Sequence, residues 1–199
     1  MEENRQKTER SEVEQTVLDI KKELRASMNG ILSAKMREAG MPYKLVFGVE
    51  LPRLMNIAKE FEPSRPLAQM LWNENIRESK ILATLLMPID EMLPEMADIW
   101  VDEVPTDEIA QLAVMNLFSR VPWASEMAFV WMAAEDKMRQ LCGFLIMARL
   151  LQAGGTLNER SLAELKDQAA AVLPTAGLSL QKAIRAVLNH LEEAGEGIG

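Results

Sequence analysis

The sequence predicts an all-α fold in which short helices pack in pairs. Apolar residues recur at spacings of three and four in most segments, as the buried face of a helix requires. Proline stands where helices are expected to begin, at Pro66, Pro88, Pro105 and Pro122. No segment alternates apolar and polar residues for long enough to predict a strand. A chain of 199 residues can bury a core of this kind without disulfides or metal.

The first elements follow from capping and breaking residues. Ser11 to Glu14 is a capping-box pattern, which predicts a helix from Glu12 to about Met28. A short second helix is expected to end at Glu38, before a glycine. Residues 41–49 are predicted to be extended, and a helix is expected from about Leu51 because Pro52 suits its first turn.

The remaining sequence predicts a helical repeat array. The prolines divide residues 64–134 into helices of roughly 10–14 residues. Further helices are expected near 135–152, 159–172 and 177–194. The stretch that begins at Pro66 is similar to the one that begins 39 residues later, close to the period of HEAT and armadillo repeats. We therefore predict a HEAT-like or armadillo-like array, an α-α superhelix.

The predicted domain organisation is simple. Residues 11–194 are expected to form one helical repeat domain. Residues 1–10 are polar and are predicted to be a flexible N-terminus, and residues 195–199 a flexible tail.

Acidic residues are concentrated in the middle of the chain. The formal net charge is −8, and residues 88–136, here the acidic segment, contain eleven acidic residues and one basic residue, Arg120. A protein that follows nucleic-acid phosphates needs clustered Lys and Arg, so this segment disfavours DNA. A basic protein or peptide is the partner that it favours.

Several classes of site are excluded or disfavoured. The single Cys142 excludes an intramolecular disulfide and every zinc or iron–sulfur site that needs several thiolates, and its apolar neighbours predict a buried side chain. Adjacent carboxylates such as Asp107-Glu108 point about 100° apart on a helix and suit first turns, where they complement the dipole. No metal and no cofactor are predicted. The polar start and the short apolar runs predict a cytoplasmic protein with no membrane contact.

Four stretches together resemble the DNA alkylation repair family, and a fifth does so faintly. The resemblance covers about residues 41–192 and rests mostly on apolar and turn positions. The four stretches are 43–59, 71–83, 96–118 and 122–133, and the faint one is 180–188.

The resemblance implies a HEAT-like array and a known chemistry. Enzymes of this family are DNA glycosylases that excise cationic alkylated purines. Their concave face combines aromatic walls that contact the damaged nucleotide, a carboxylate that stabilises positive charge on the sugar, and arginines that bind phosphates. The aromatic residue and the carboxylate are spaced Trp-x-x-x-Asp, one helical turn apart, because both face the same sugar.

In this chain the residues at those positions differ. The Trp and Asp of the pair align with Thr106 and Ala110, in a helix expected to begin at Pro105. The phosphate-binding arginine that follows the Trp123 motif aligns with Glu126, which reverses the charge.

The last helix departs from the family in the same way. A second tryptophan aligns with Ala186, and the arginine that follows it aligns with Asn189. With all five positions changed, we predict a member of the family that lacks the catalytic residues and acts as a binding or interaction module. Two alternatives stay open. One is an active glycosylase whose substitute carboxylate is Asp107, and the other is a non-catalytic protein that binds damaged DNA.

Overall fold

The computed structural model describes the backbone of residues 2–196, and the all-α prediction is confirmed within that range. Its only strand-like pairing is an isolated parallel bridge between Leu45 and Ile76. The α-helices are α1 Glu2–Ala26, α2 Gly30–Glu38, α3 Leu51–Ala58, α4 Arg65–Trp72, α5 Arg77–Leu86, α6 Pro94–Asp102, α7 Asp107–Ala113, α8 Ala124–Met132, α9 Lys137–Gln152, α10 Glu159–Val172 and α11 Leu178–Glu196. Short 3₁₀ turns cover Ile89–Glu91 and Leu173–Thr175, and a π-helical turn covers Val114–Phe118.

The chain divides into two compact units, Met1–Met92 (unit 1) and Leu93–Gly199 (unit 2). The single domain over 11–194 and its flexible ends stay predictions; of the predicted tail, residues 197–199 lie outside the described residues. Helix α1 begins ten residues before the predicted Glu12, because no glycine or proline interrupts a run of good helix formers.

Burial of the large aromatic residues follows the sequence pattern. Trp72 and Trp131 are fully buried and Trp100 nearly so, whereas Trp123 is half-buried at the start of α8. Three of the four tryptophans therefore stabilise the cores and cannot stack on a ligand at the surface.

In unit 1 the predicted extended passage forms a loop, residues 43–49, that lies against the start of α2. Gly48 has a φ of +73°, and a Cβ there would stand 2.5 Å from the carbonyl oxygen of Asn29 and 2.6 Å from the nitrogen of Ser33. Only glycine allows this approach of two backbones. The Ser33 hydroxyl also donates a hydrogen bond of 2.7 Å to the Val46 carbonyl.

The carboxylate of Glu78, in the first turn of α5, fixes this loop from inside unit 1. The side chain is fully buried. One of its oxygens accepts the backbone N–H of Phe47 at 3.0 Å, and the other accepts those of Gly48 at 2.9 Å and Val49 at 3.3 Å. The guanidinium of Arg77, also buried, donates to Glu78 at 3.1 Å and to the Val49 carbonyl at 3.1 Å. A buried charge is tolerated because every neighbouring polar group is paired with it.

We predict that Glu78→Gln destabilises the protein by about 3 kcal/mol, because the amide offers one acceptor oxygen where the carboxylate offers two and leaves a buried N–H unpaired. Urea unfolding measures the change. Glu62→Gln, at an exposed position of the same unit, is the control and should leave the midpoint unchanged. Equal midpoints for the two variants would contradict this account of the loop.

In unit 2, α9 is the central helix and packs against α6, α7, α8 and α11. Its contact with α8 depends on Gly143, where a Cβ would stand 2.7 Å from the nitrogen of Met132 and 2.8 Å from the carbonyl oxygen of Ala128. The buried rings of Phe118 and Trp131 meet edge to face beside this contact, with centroids 5.3 Å apart.

Gly143→Ala should destabilise the protein by about 1–3 kcal/mol, because the added methyl overlaps backbone atoms that cannot rotate away. The matched control is Gly177→Ala in the same unit, where an added Cβ meets nothing within 4 Å. Thermal unfolding of both variants checks the prediction. A Gly143→Ala protein as stable as the control would show that α8 and α9 are not closely packed.

Candidate functional site

The helix that resembles the family's catalytic helix begins later than predicted. The start predicted at Pro105 is wrong, because Thr106 is the N-cap and α7 begins at Asp107. The Thr106 hydroxyl accepts the backbone N–H of Ile109 at 3.4 Å. Thr106, which the sequence resemblance predicts to replace the family's aromatic residue, is therefore half-buried and takes part in capping.

Ala110, which the sequence resemblance predicts to stand where the family has its carboxylate, is fully buried. Its neighbours Ile109, Leu112 and Ala113 are buried as well, so this face of α7 lies inside unit 2. A substrate sugar has no access to a side chain placed there. A carboxylate at position 110 would therefore start from a fully buried Cβ.

Asp107, the candidate substitute, is exposed in the first turn of α7. Its Oδ2 accepts a hydrogen bond from the hydroxyl of Ser179, in the first turn of α11. The contact joins the starts of two helices 72 residues apart in sequence. The structure therefore pairs this carboxylate with a serine.

The other candidate positions lie on α8 and α11. Glu126 is exposed in the first turn of α8, where its charge complements the helix dipole. On α11, Ala186 is half-buried and Asn189 is exposed. Ala186 follows Ser179 by seven residues, which is about 10 Å along a helix axis. The structure brings Asp107 to Ser179 and leaves Ala186 and Asn189 two or more turns away.

An arginine just beyond the acidic segment neutralises part of it. Arg139, on α9, donates to the carboxylate of Asp102 at 2.6 and 2.8 Å and to that of Asp98 at 2.8 Å. The indole N–H of Trp131 donates to the same oxygen of Asp98 at 2.8 Å. Hydrogen bonding to Arg139 lowers the pKa of Asp102. Sequence reasoning missed this cluster, because its members lie up to 41 residues apart and no local pattern connects them.

Cys142 is buried in α9, as its apolar neighbours predict. Burial, together with the charges of Asp136 and Asp107, raises the pKa of its thiol to about 12. The thiolate needed for nucleophilic attack is therefore scarce at neutral pH.

Neither a metal cluster nor a membrane-spanning helix is present in the described part of the chain. No three His, Cys, Asp or Glu side chains there come together as a metal site. None of the helices found there combines the length and the apolar character needed to cross a membrane.

Comparison with known families decides the identity of the scaffold. The family model described as DNA alkylation repair enzyme matches residues 20–194. This chain belongs to the DNA alkylation repair family. The resemblance seen in the sequence is confirmed, and so is the predicted HEAT-like fold.

The fold of this DNA alkylation repair family member is similar to a solved structure described as "a new family of proteins related to the HEAT-like repeat DNA glycosylases with affinity for branched DNA structures". The TM-score is 0.71 with 20% identical residues, and the match covers 89% of this chain and 74% of the other. At that identity the likeness establishes the fold alone. No curated protein matches the sequence.

Restoring the family's carboxylate in this member should not restore a site. We predict that Ala110→Asp costs about 3 kcal/mol or more of stability, because it buries a charge without a partner. Ala163→Asp, at an exposed position on α10, is the matched control and should unfold like the unmodified protein. Urea unfolding tests this. An Ala110→Asp protein that is fully stable would mean that position 110 can reach solvent.

Proposed function

We propose that this member of the DNA alkylation repair family does not excise bases and acts as a binding module. The observation that carries the proposal is the complete burial of Ala110 at the family's carboxylate position. A glycosylase must place negative charge against the sugar as the base leaves, because positive charge develops there. Thr106, one turn earlier, is neutral and engaged in capping.

The neighbouring residues support the same proposal. Of the two carboxylates in the first turn of α7, only Asp107 is in the exposed class, and it accepts a hydrogen bond from Ser179. Glu126 would repel the phosphate that the family binds with arginine. A substrate nucleotide would therefore meet neither the aromatic wall nor the cation that orients it in the family.

The ligand that we propose is a basic protein or peptide bound by the acidic segment. Arg139 compensates Asp98 and Asp102, but Glu95, Glu126 and Glu135 remain exposed, and the structure gives none of them an ion pair within its described range. Complementary charge steers such a partner and fixes its orientation. A cytoplasmic location accompanies this proposal.

The test is base release from DNA that carries N3- or N7-alkylated purines. We expect release no faster than spontaneous loss of the base, with an active family member as the positive control. Asp107→Asn is assayed in parallel and should behave like the unmodified protein. Release by the unmodified protein that Asp107→Asn abolishes would establish the rearranged glycosylase instead.

A second candidate function is binding of DNA without catalysis, which the described affinity of the structural neighbour for branched DNA favours. Lys182 and Arg185, exposed on α11 beside Ala186, are the cations that would contact phosphates. Gel-shift titration with a four-way junction decides between the functions. Retardation that weakens with salt and is lost in Lys182→Glu/Arg185→Glu would support DNA binding. Our proposal expects none, even near about 50 mM salt.

A further inference from the structure

An exposed aliphatic residue on α6 and another on α8 each stand beside a hydrogen bond that joins the two helices. Ile99 is 58% exposed and Val130 is 59% exposed. Each is the sequence neighbour of a residue in the hydrogen bond between Asp98 and Trp131, which spans 2.8 Å. This bond therefore connects α6 and α8 one residue away from each of the two aliphatic positions.

A glutamate accompanies each of them. Glu95 precedes Ile99 by four residues on α6, and Glu126 precedes Val130 by four on α8, so each pair shares one helix face. Both glutamates are exposed, and no ion pair is found for either among the described residues. We call these four residues the α6–α8 patch.

The cation beside this patch is already engaged. Arg139 is bound to Asp98 and Asp102, and only 21% of its side chain is exposed. The patch therefore presents uncompensated negative charge next to apolar surface. Asp98 accepts bonds from Arg139 and Trp131 together, which joins α6 to α8 and α9 before any partner arrives. A surface that is ordered in advance loses less entropy on binding.

We propose that the α6–α8 patch binds a basic amphipathic helix of a partner protein. Apolar residues of the partner would cover Ile99 and Val130, while its Lys or Arg side chains pair with Glu95 and Glu126. This inference rests on the proposed binding function and names the class of partner. A second copy of this chain fits poorly, because a symmetric contact would bring the same carboxylates together. DNA is disfavoured for the same electrostatic reason.

The experiment uses the full chain and two labelled synthetic peptides of Lys and Leu. One has the order of an amphipathic helix, and the other has the same composition in an order without an apolar face. Fluorescence anisotropy should give at least about tenfold tighter binding of the amphipathic peptide, since only that peptide can bury both aliphatic side chains. The affinity should fall as salt rises.

Surface variants locate the binding. The double variant Ile99→Ser/Val130→Ser should bind the amphipathic peptide about tenfold more weakly. The double variant Glu95→Gln/Glu126→Gln should bind the same peptide more weakly, and its affinity should depend less on salt concentration. Leu178→Ser is the control, because Leu178 is 69% exposed in the same unit and lies outside the patch. It should bind like the unmodified protein, and melting temperatures confirm that every variant is folded.

Three results would overturn the proposal: equal binding of the two peptides, full affinity in Ile99→Ser/Val130→Ser, or self-association of the chain that the same substitutions abolish in sedimentation. The base-release assay keeps the two proposals separate. If the protein releases bases and also binds the peptide through the patch, only the proposed loss of catalysis is refuted. If the protein neither releases bases nor binds the peptide through the patch, only the proposed docking surface is refuted.

Discussion

The carboxylate of Glu78 is fully buried, so unit 1 has to supply its hydrogen-bond partners. It does so with three backbone N–H groups of the loop 43–49 and the guanidinium of Arg77. The loop in turn lies against α2 through Gly48, so α2, the loop and α5 take their positions together. These residues belong to the stretches that resemble the family. Part of the resemblance is therefore carried by residues that pair buried polar groups inside unit 1.

In unit 2 the residues that pack the helices also differ from the residues expected at the family's site. The packing of α9 depends on Gly143 and on the buried aromatic pair, and these residues lie outside α7. Alanine suits the buried helix face at position 110, so the fold does not require a carboxylate there. The family's fold and its activity are distinct properties, and only the fold follows from the packing.

Sequence periodicity predicted most of the helices, the extended loop and the buried tryptophans, because each depends on neighbours a few residues away. It failed where tertiary contacts decide. The start of α7 was placed at Pro105 because proline suits a first turn, although Thr106 provides the cap. The cluster of Arg139, Asp98 and Trp131 was missed, because helix packing alone brings those residues together. Burial of Ala110 likewise depends on what packs over α7, which spacing does not specify.

The central claim is that no carboxylate faces a substrate sugar in this protein. The most direct measurement is its affinity for DNA in which one nucleotide carries a cationic azasugar, a mimic of the charged sugar in the transition state of base excision. The account predicts no preference for this DNA over the same duplex with an ordinary nucleotide. A strong preference that disappears in Asp107→Asn would contradict it, because a carboxylate would then face the sugar after all.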